Sequence, residues 1–276
     1  MLFDRGGFRL NYRIDGTEGA PWLTLSNSLV CSLGMWDGQV ERLAGHFRIL
    51  RYDQRGHGGS EAPQSPYSVG ELACDVVALW DHLGINRSHF AGLSLGGMTG
   101  ISLALDFADR VASLTAADCR AEADPTYAGM FMKRVEATRT QGMEALVEST
   151  LARFFTPDFA LSSPDTVEKY NAMIRNTNTE GHIGCCLAIA GMRNDARLVD
   201  LAVPTLFIGG RHDIGAPVAI MQAMHEAAAG SCHVVLENAG HISCEEAPDA
   251  FARAVLEHAQ RDWSVDNTAD RRQETS

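Results

Sequence analysis

Residues Ser88–Leu105 read SHFAGLSLGGMTGISLAL. The stretch opens as an apolar, β-prone run and continues, from Gly96, with apolar residues at helical spacing. At the join lies Gly92-Leu93-Ser94-Leu95-Gly96, a GxSxG pattern. A strand that turns directly into a helix there holds the middle residue in a strained conformation with its side chain exposed. The flanking glycines are needed because side chains at those positions would collide with the turn. The helix N-terminus that follows offers backbone N–H groups and the positive end of a dipole to an oxyanion. Glycine-rich strand-to-helix turns also occur in nucleotide-binding folds, but GxGxxG is absent from the first such turn here and no GK[ST] occurs.

Working outward, short apolar runs at 47–52, 111–117, 203–208 and 232–236 alternate with amphipathic segments at 69–83, 96–108, 217–229 and 248–263. Several of the runs are apolar on both faces, as strands are in a parallel sheet covered by helices on each side. The alternation predicts an α/β fold with a mostly parallel, doubly wound sheet. Residues 8–14 and 22–26, joined by a turn around Gly16, Gly19 and Pro21, read as an antiparallel pair leading into it. Strand signals stop between Arg120 and Asp200. Four helices are expected there, at 127–139, 143–155, 164–176 and 181–192, with polar breaks such as TPD and SSP between them. The expected organisation is a core of residues 1–119 and 200–263, a helical cap of residues 120–199 inserted into it, and a polar, frayed tail from 264 to 276.

A serine hydroxyl is a weak nucleophile until a base takes its proton, and the base needs a carboxylate to fix its tautomer. Downstream, the run at 203–208 exits into Gly209-Gly210-Arg211-His212-Asp213, and the run at 232–236 is followed by Asn238-Ala239-Gly240-His241. The order Ser94, Asp213, His241 places each residue just past an apolar strand, where open α/β sheets assemble their sites. Asp118, ending the run at 111–117, is an alternative acid, but the strand before Asp213 lies next before that of His241. His212 and His57 are alternative bases, though neither follows the last strand. The loop Ser26-Asn27-Ser28-Leu29-Val30 supplies a second oxyanion donor by position, the Leu29 N–H, to pair with that of Leu95. Arg51–Ser60 (RYDQRGHGGS) could be a phosphate cradle, yet it lacks a P-loop lysine, and a tight turn supporting the site from behind fits better.

Charge and cysteine content bound the partners. With 23 Lys+Arg against 35 Asp+Glu, the formal charge is −12, and a nucleic-acid binder needs a basic face. At 45% hydrophobic and 21% charged residues the chain has the balance of an ordinary globular protein. No stretch approaches the ~18 uncharged apolar residues of a membrane span. Asp4, Arg5 and Arg9 stand where a signal peptide needs an apolar run, so a cytoplasmic protein is expected. The seven cysteines are odd in number and scattered, which suits reduced, buried thiols. His182, Cys185 and Cys186 do not make a metal site, because adjacent cysteines share one tetrahedral ion poorly and no second ligand pair follows. No metal or organic cofactor is expected.

With elbow, acid and base in place, the chain resembles the α/β-hydrolase superfamily and, within it, the 3-oxoadipate enol-lactonase group. Residues 26–63 (SNSLVCSLGMWDGQVERLAGHFRILRYDQRGHGGSEAP) look like that group's N-terminal half, with Asn27-Ser28 where many other members have His-Gly. GLSLGGMTG resembles its elbow. KRVEATRTQGM, FFTPDF and EGHIGCCLAI resemble pieces of its cap, and the likeness runs from about Phe8 to Ala259. It implies an α/β-hydrolase fold and a cofactor-free serine hydrolase that opens an enol-lactone ring in aromatic degradation. It also implies that Arg134 meets the substrate's carboxylate. Departures cluster where substrate is chosen: Phe131 and Phe154 stand in place of tryptophans, Gly215-Ala216-Pro217 replaces Thr-Pro-Pro, and Asp118–Asp124 differs from a small-residue loop. Arg120, Phe131, Arg134 and Phe154 are therefore the candidate substrate-binding residues, the arginines because a guanidinium grips a carboxylate bidentately. A cap-helix arginine otherwise pairs with a neighbour such as Glu136. The substrate expected is a small ester or lactone carrying a carboxylate. A general esterase, a carbon–carbon bond hydrolase, a perhydrolase and a non-catalytic ligand-binding protein remain alternatives on the same fold.

Overall fold

The structure, a computed structural model, describes residues 1–263. The tail expected from 264 onward lies outside them. Among the described residues the strands form one sheet in the order β1-β2-β4-β3-β5-β6-β7-β8. They are β1 (Leu2–Asp4), β2 (Arg9–Gly16), β3 (Trp22–Ser26), β4 (Arg48–Tyr52), β5 (Ser88–Leu93), β6 (Val111–Ala117), β7 (Thr205–Gly210) and β8 (Cys232–Leu236). From β4 to β8 every neighbouring pair is parallel, while β1 and β2 add antiparallel pairings at one edge.

The antiparallel pairing expected between residues 8–14 and 22–26 does not form. β2 instead lies antiparallel to β4, and β3 sits between β4 and β5, parallel to both. Burial explains the exchange. Trp22–Ser26 is buried along almost its whole length and needs neighbours on both sides, whereas Arg9–Gly16 alternates buried and exposed residues, which suits a position near the edge. β7 likewise starts two residues later than its apolar run, because Pro204 has no N–H for the ladder.

Around the sheet lie α1 (Asp37–Leu43), α2 (Val69–Leu83) and α3 (Leu95–Asp106). Right-handed crossovers put α1 on one face and α2 and α3 on the other. A capping box opens α2: the Ser68 hydroxyl accepts from the Glu71 N–H and the Glu71 carboxylate accepts from the Ser68 N–H.

Between β6 and β7 the chain forms α4 (Pro125–Gln141), α5 (Val147–Phe154), α6 (Pro157–Ser162), α7 (Pro164–Asn176) and α8 (Thr179–Ala190). The sequence predicted four helices there. The extra one, α6, grows from the TPD motif read as a break: the Thr156 hydroxyl caps the Phe159 N–H and Pro157 takes the first helical position. Entry and exit of this insertion are tied together, with the Ala123 N–H donating to Met192 O and the Asn194 N–H to Ala121 O. The sheet side is completed by α9 (Val218–Ala227), α10 (Ser243–Glu246) and α11 (Pro248–Gln260), the last packing against α1. No helix among the described residues is long and apolar enough to cross a membrane.

The loop 53–60 is no phosphate cradle, because the Asp53 carboxylate already fills it. Asp53 accepts from Asn11 Nδ2, the Leu33 N–H and the Gly59 N–H at 2.6–2.8 Å. The same loop seats the insertion. Gly56 O accepts from the Asn178 N–H at 3.0 Å, and a Cβ on Gly181 would lie 2.4 Å from Gly56 Cα. Two backbones in contact leave no flexible group to yield. Gly181→Ala is therefore expected to cost about 1–3 kcal/mol, read as a lower urea midpoint. An unchanged midpoint would show that α8 can withdraw freely from the core.

Candidate active site

β5 ends at Leu93, α3 starts at Leu95, and Ser94 between them has φ 55° and ψ −114°. Such backbone costs a residue with a Cβ about 1–3 kcal/mol and persists only where its surroundings over-determine it. Here the Ser94 N–H donates to Ala117 O of β6 at 2.8 Å, and Ser94 O accepts from the Met98 N–H at 2.9 Å. Close approach does the rest: a Cβ on Gly92 would lie 2.2 Å from Gly96 O, and one on Gly96 would lie 2.0 Å from Ser26 O. Both glycines of the pattern are needed for the packing of the turn.

His241, past β8, brings Nε2 within 3.0 Å of Ser94 Oγ and Nδ1 within 2.8 Å of Asp213 Oδ2. A carboxylate only accepts, so Nδ1 carries the proton and the Nε2 lone pair faces the serine hydroxyl. Burial pushes the Asp213 carboxyl up. The pull of His241 when it is protonated and the hydrogen bond from its Nδ1–H, with the N–H groups of Gly215 and Ala216, outweigh it and hold the group below the usual carboxylate range. All three side chains are buried.

Asp118, the alternative acid, makes its hydrogen bonds to other groups than the imidazole. Its Oδ1 accepts from the Gly210 N–H at 2.8 Å and its Oδ2 from Ser243 Oγ at 2.5 Å. It thus ties the strand that leads to Asp213 to the loop that carries His241. Burial, and next the charge of Asp213, hold its carboxyl well above the usual range. His212 is exposed, and His57 is buried against Arg55 O, with its Nδ1 at 2.8 Å. Neither borders the space above Ser94.

The loops after β3 and β5 diverge where the strand order reverses, the crevice in which open α/β sheets bind ligands. Leu95 is the first residue of α3, so its N–H has no partner within the helix. Leu29 borders the same space from the other side, and no backbone acceptor takes its N–H among the described residues. Its neighbour Val30 has φ 61°, rare for a β-branched residue, and is held there as Cys31 O accepts from Asn27 Nδ2 and Val30 O from Thr177 Oγ1.

The insertion roofs this space. Phe154 stacks on His241 with ring centroids 5.7 Å apart, and Phe154 O accepts from the Ile242 N–H. Glu246 fastens the two from below, accepting from the Thr156 and Gly240 N–H groups at 2.6 and 2.5 Å. Phe131 and Arg134 also border the space, so three of the four candidate substrate-binding residues meet at Ser94. Arg120 does not border it. Its Nε donates to Gly215 O at 2.8 Å, its Nη1 pairs with Asp124, and its guanidinium lies 4.1 Å from the Tyr127 ring centroid, so it anchors the loop after Asp213. Arg134 has no pair with Glu136. Its Nη2 donates to Thr150 Oγ1, its Nε makes no hydrogen bond among the described residues, the neutral Cys186 thiol lies against the guanidinium, and burial lowers its pKa.

Arg153 is a lining residue that sequence reasoning missed. Its signal was available: Thr150, Arg153 and Phe154 stand at helical spacing on one face of α5. The space above Ser94 measures about 20 Å³, room for one water, whereas a cleft of about 860 Å³ runs between β8 and α11, away from Ser94. Chemistry decides between them, since the small space holds the Ser94 hydroxyl, hydrogen-bonded to His241, and the guanidinium groups of Arg134 and Arg153.

A family model described as the alpha/beta hydrolase fold matches residues 21–248. 3-Oxoadipate enol-lactonase 2 of Acinetobacter baylyi is 37% identical over 246 residues, covering 89% of this chain and 91% of the relative. 3-Oxoadipate enol-lactonase 1 of the same organism is 32% identical, covering 91% and 93%. The crystal structure of the enol-lactonase from Burkholderia xenovorans LB400 superposes with a TM-score of 0.91 at 39% identity, covering 95% of this chain and all of that one.

Asp118 gives this geometry a pH signature. Between the ordinary Asp value, about 3.9, and its raised value, the folded protein keeps a proton that the unfolded chain has lost. Its contribution to stability therefore falls as pH rises through that window. Asp118→Asn keeps an acceptor for Gly210 and removes the titration. The stability of the variant relative to the parent should rise from pH 4 to pH 7 in urea unfolding. A pH-independent difference would show that Asp118 is not so perturbed.

Proposed function

The chain belongs to the α/β-hydrolase fold family, and from that premise we propose that it hydrolyses a small lactone or ester bearing a carboxylate, as an enol-lactonase does. The observation that carries the reading is the hydrogen-bonded chain from Ser94 Oγ through His241 to Asp213, set beneath the partnerless Nε of Arg134. The names of the relatives favour 3-oxoadipate enol-lactone as the substrate of this reading.

In this mechanism Ser94 Oγ attacks the ring carbonyl as His241 Nε2 takes its proton, and Asp213 stabilises the imidazolium. The N–H groups of Leu29 and Leu95 receive the oxyanion, each worth about 3 kcal/mol in the transition state. Collapse breaks the C–O bond of the ring. The leaving group is an enolate, which takes the proton from His241 and becomes the ketone. His241 then activates a water, which attacks the acyl-enzyme and releases the second carboxylate with Ser94 restored. Residues 120–199 act as a cap that opens to admit substrate and closes to exclude bulk water. Phe131 and Phe154 line the acyl pocket, and Arg134 holds the carboxylate. We place the enzyme in aromatic-compound breakdown in the cytoplasm, a reading supported by the names of the relatives and by free cysteines that are mostly buried.

The test is kcat/KM on 3-oxoadipate enol-lactone beside a neutral p-nitrophenyl ester, with Ser94→Ala as blank. A lactone value above about 10⁴ M⁻¹s⁻¹, far exceeding the ester, is expected. Ser94-dependent ester turnover with little lactone activity would reassign the substrate. Arg134→Ala should raise KM for the acidic lactone about tenfold or more and for the ester much less; equal effects would remove Arg134 from carboxylate recognition.

A further inference from the structure

Arg153 borders the space above Ser94 and also two open clefts, one under α6 beside His212 and one beside Tyr127, so it stands between the reactive hydroxyl and solvent. Its polar contacts are both neutral and long: Nη2 to Tyr127 Oη at 3.4 Å and Nη1 to Met130 Sδ at 3.5 Å. Its guanidinium lies 5.8 Å from the ring centroids of Tyr127 and Phe131. No carboxylate pairs with it among the described residues. Arg134, on the same space, is in the same condition. Two half-desolvated cations side by side repel one another, and an anion between them relieves both.

Gly215 is fitted to this arrangement. A Cβ there would lie 2.6 Å from Arg153 Nη2 and 2.8 Å from Nε. The glycine cannot retreat, because its N–H donates to Asp213 at 2.6 Å and its carbonyl accepts from Arg120 at 2.8 Å. Its own φ lies outside the left-handed range, so an alanine there meets no backbone strain. What it meets is the guanidinium, a flexible group that can be pushed aside.

We propose that Arg153 is a second guanidinium for the substrate's carboxylate, gripping it jointly with Arg134 at the mouth of the site, and that Gly215 leaves the room Arg153 needs to do so. The proposal rests on the reading of the site as a hydrolase for an anionic lactone or ester and names the group that selects for the anion. A neutral analogue leaves two cations unpaired and is rejected for that reason.

The test is binding of pentanoate and of its neutral counterpart pentanamide, by calorimetry and as competitors of a neutral p-nitrophenyl ester. Arg153→Met is expected to weaken pentanoate about tenfold or more, the value of one charge-assisted contact, and pentanamide several-fold less. Arg153→Lys should recover part of the loss. Gly215→Ala should reproduce the Arg153→Met effect and add nothing to it in the double variant, because both act through one guanidinium. The proposal is overturned if Arg153→Met weakens both ligands equally, if wild type does not prefer pentanoate, or if Gly215→Ala keeps its full effect without Arg153. Failure of the underlying reading would show separately, as ester turnover that survives Ser94→Ala, since calorimetry reads the carboxylate series without any turnover.

Discussion

Everything at the site depends on one junction, the turn that forces Ser94 to φ 55° between β5 and α3. The strain is affordable because neighbouring elements fix the turn from several sides: Ala117 O on β6 receives its N–H, Ser26 on β3 leaves space only for glycine at 96, and Gly96 O does the same at 92. The turn lifts Oγ toward His241 and leaves the first N–H of α3 unpaired beside it. A looser turn would lose both at once.

The second constraint is the seating of the loops that bring His241 and Asp213 to that hydroxyl. Asp118 joins the end of β7 to Ser243, Glu246 joins Gly240 to Thr156, and Phe154 lies flat on the imidazole. The helical insertion is thus part of the frame that orients His241 as well as a roof over Ser94. It also carries the arginines, so the parts that would choose a substrate and the parts that would react with it share hydrogen bonds.

Much of this was legible in the sequence. The elbow could be read because a β-prone run, GxSxG and a helical run abut, and Asp213 and His241 because each follows an apolar strand in the right order. The pairing of residues 8–14 with 22–26 was misread, since proximity along the chain suggested a hairpin while the near-complete burial of Trp22–Ser26 required a central strand. Arg120 and Arg153 could not be sorted from residue type alone. One is consumed by Gly215 O and Asp124, the other is left without an acid, and that difference lies in partners distant in sequence. Asp53 shows the same limit: a glycine-rich turn resembles an anion cradle until its own carboxylate is seen inside.

The central claim is that Ser94 is an activated nucleophile, and covalent labelling addresses it most directly. Full-length protein treated with a serine-directed fluorophosphonate should gain one adduct, mapped by peptide mass spectrometry to Ser94, and should lose it in Ser94→Ala and, largely, in His241→Ala. No adduct on the folded wild-type protein, or an adduct at another residue, would contradict the account.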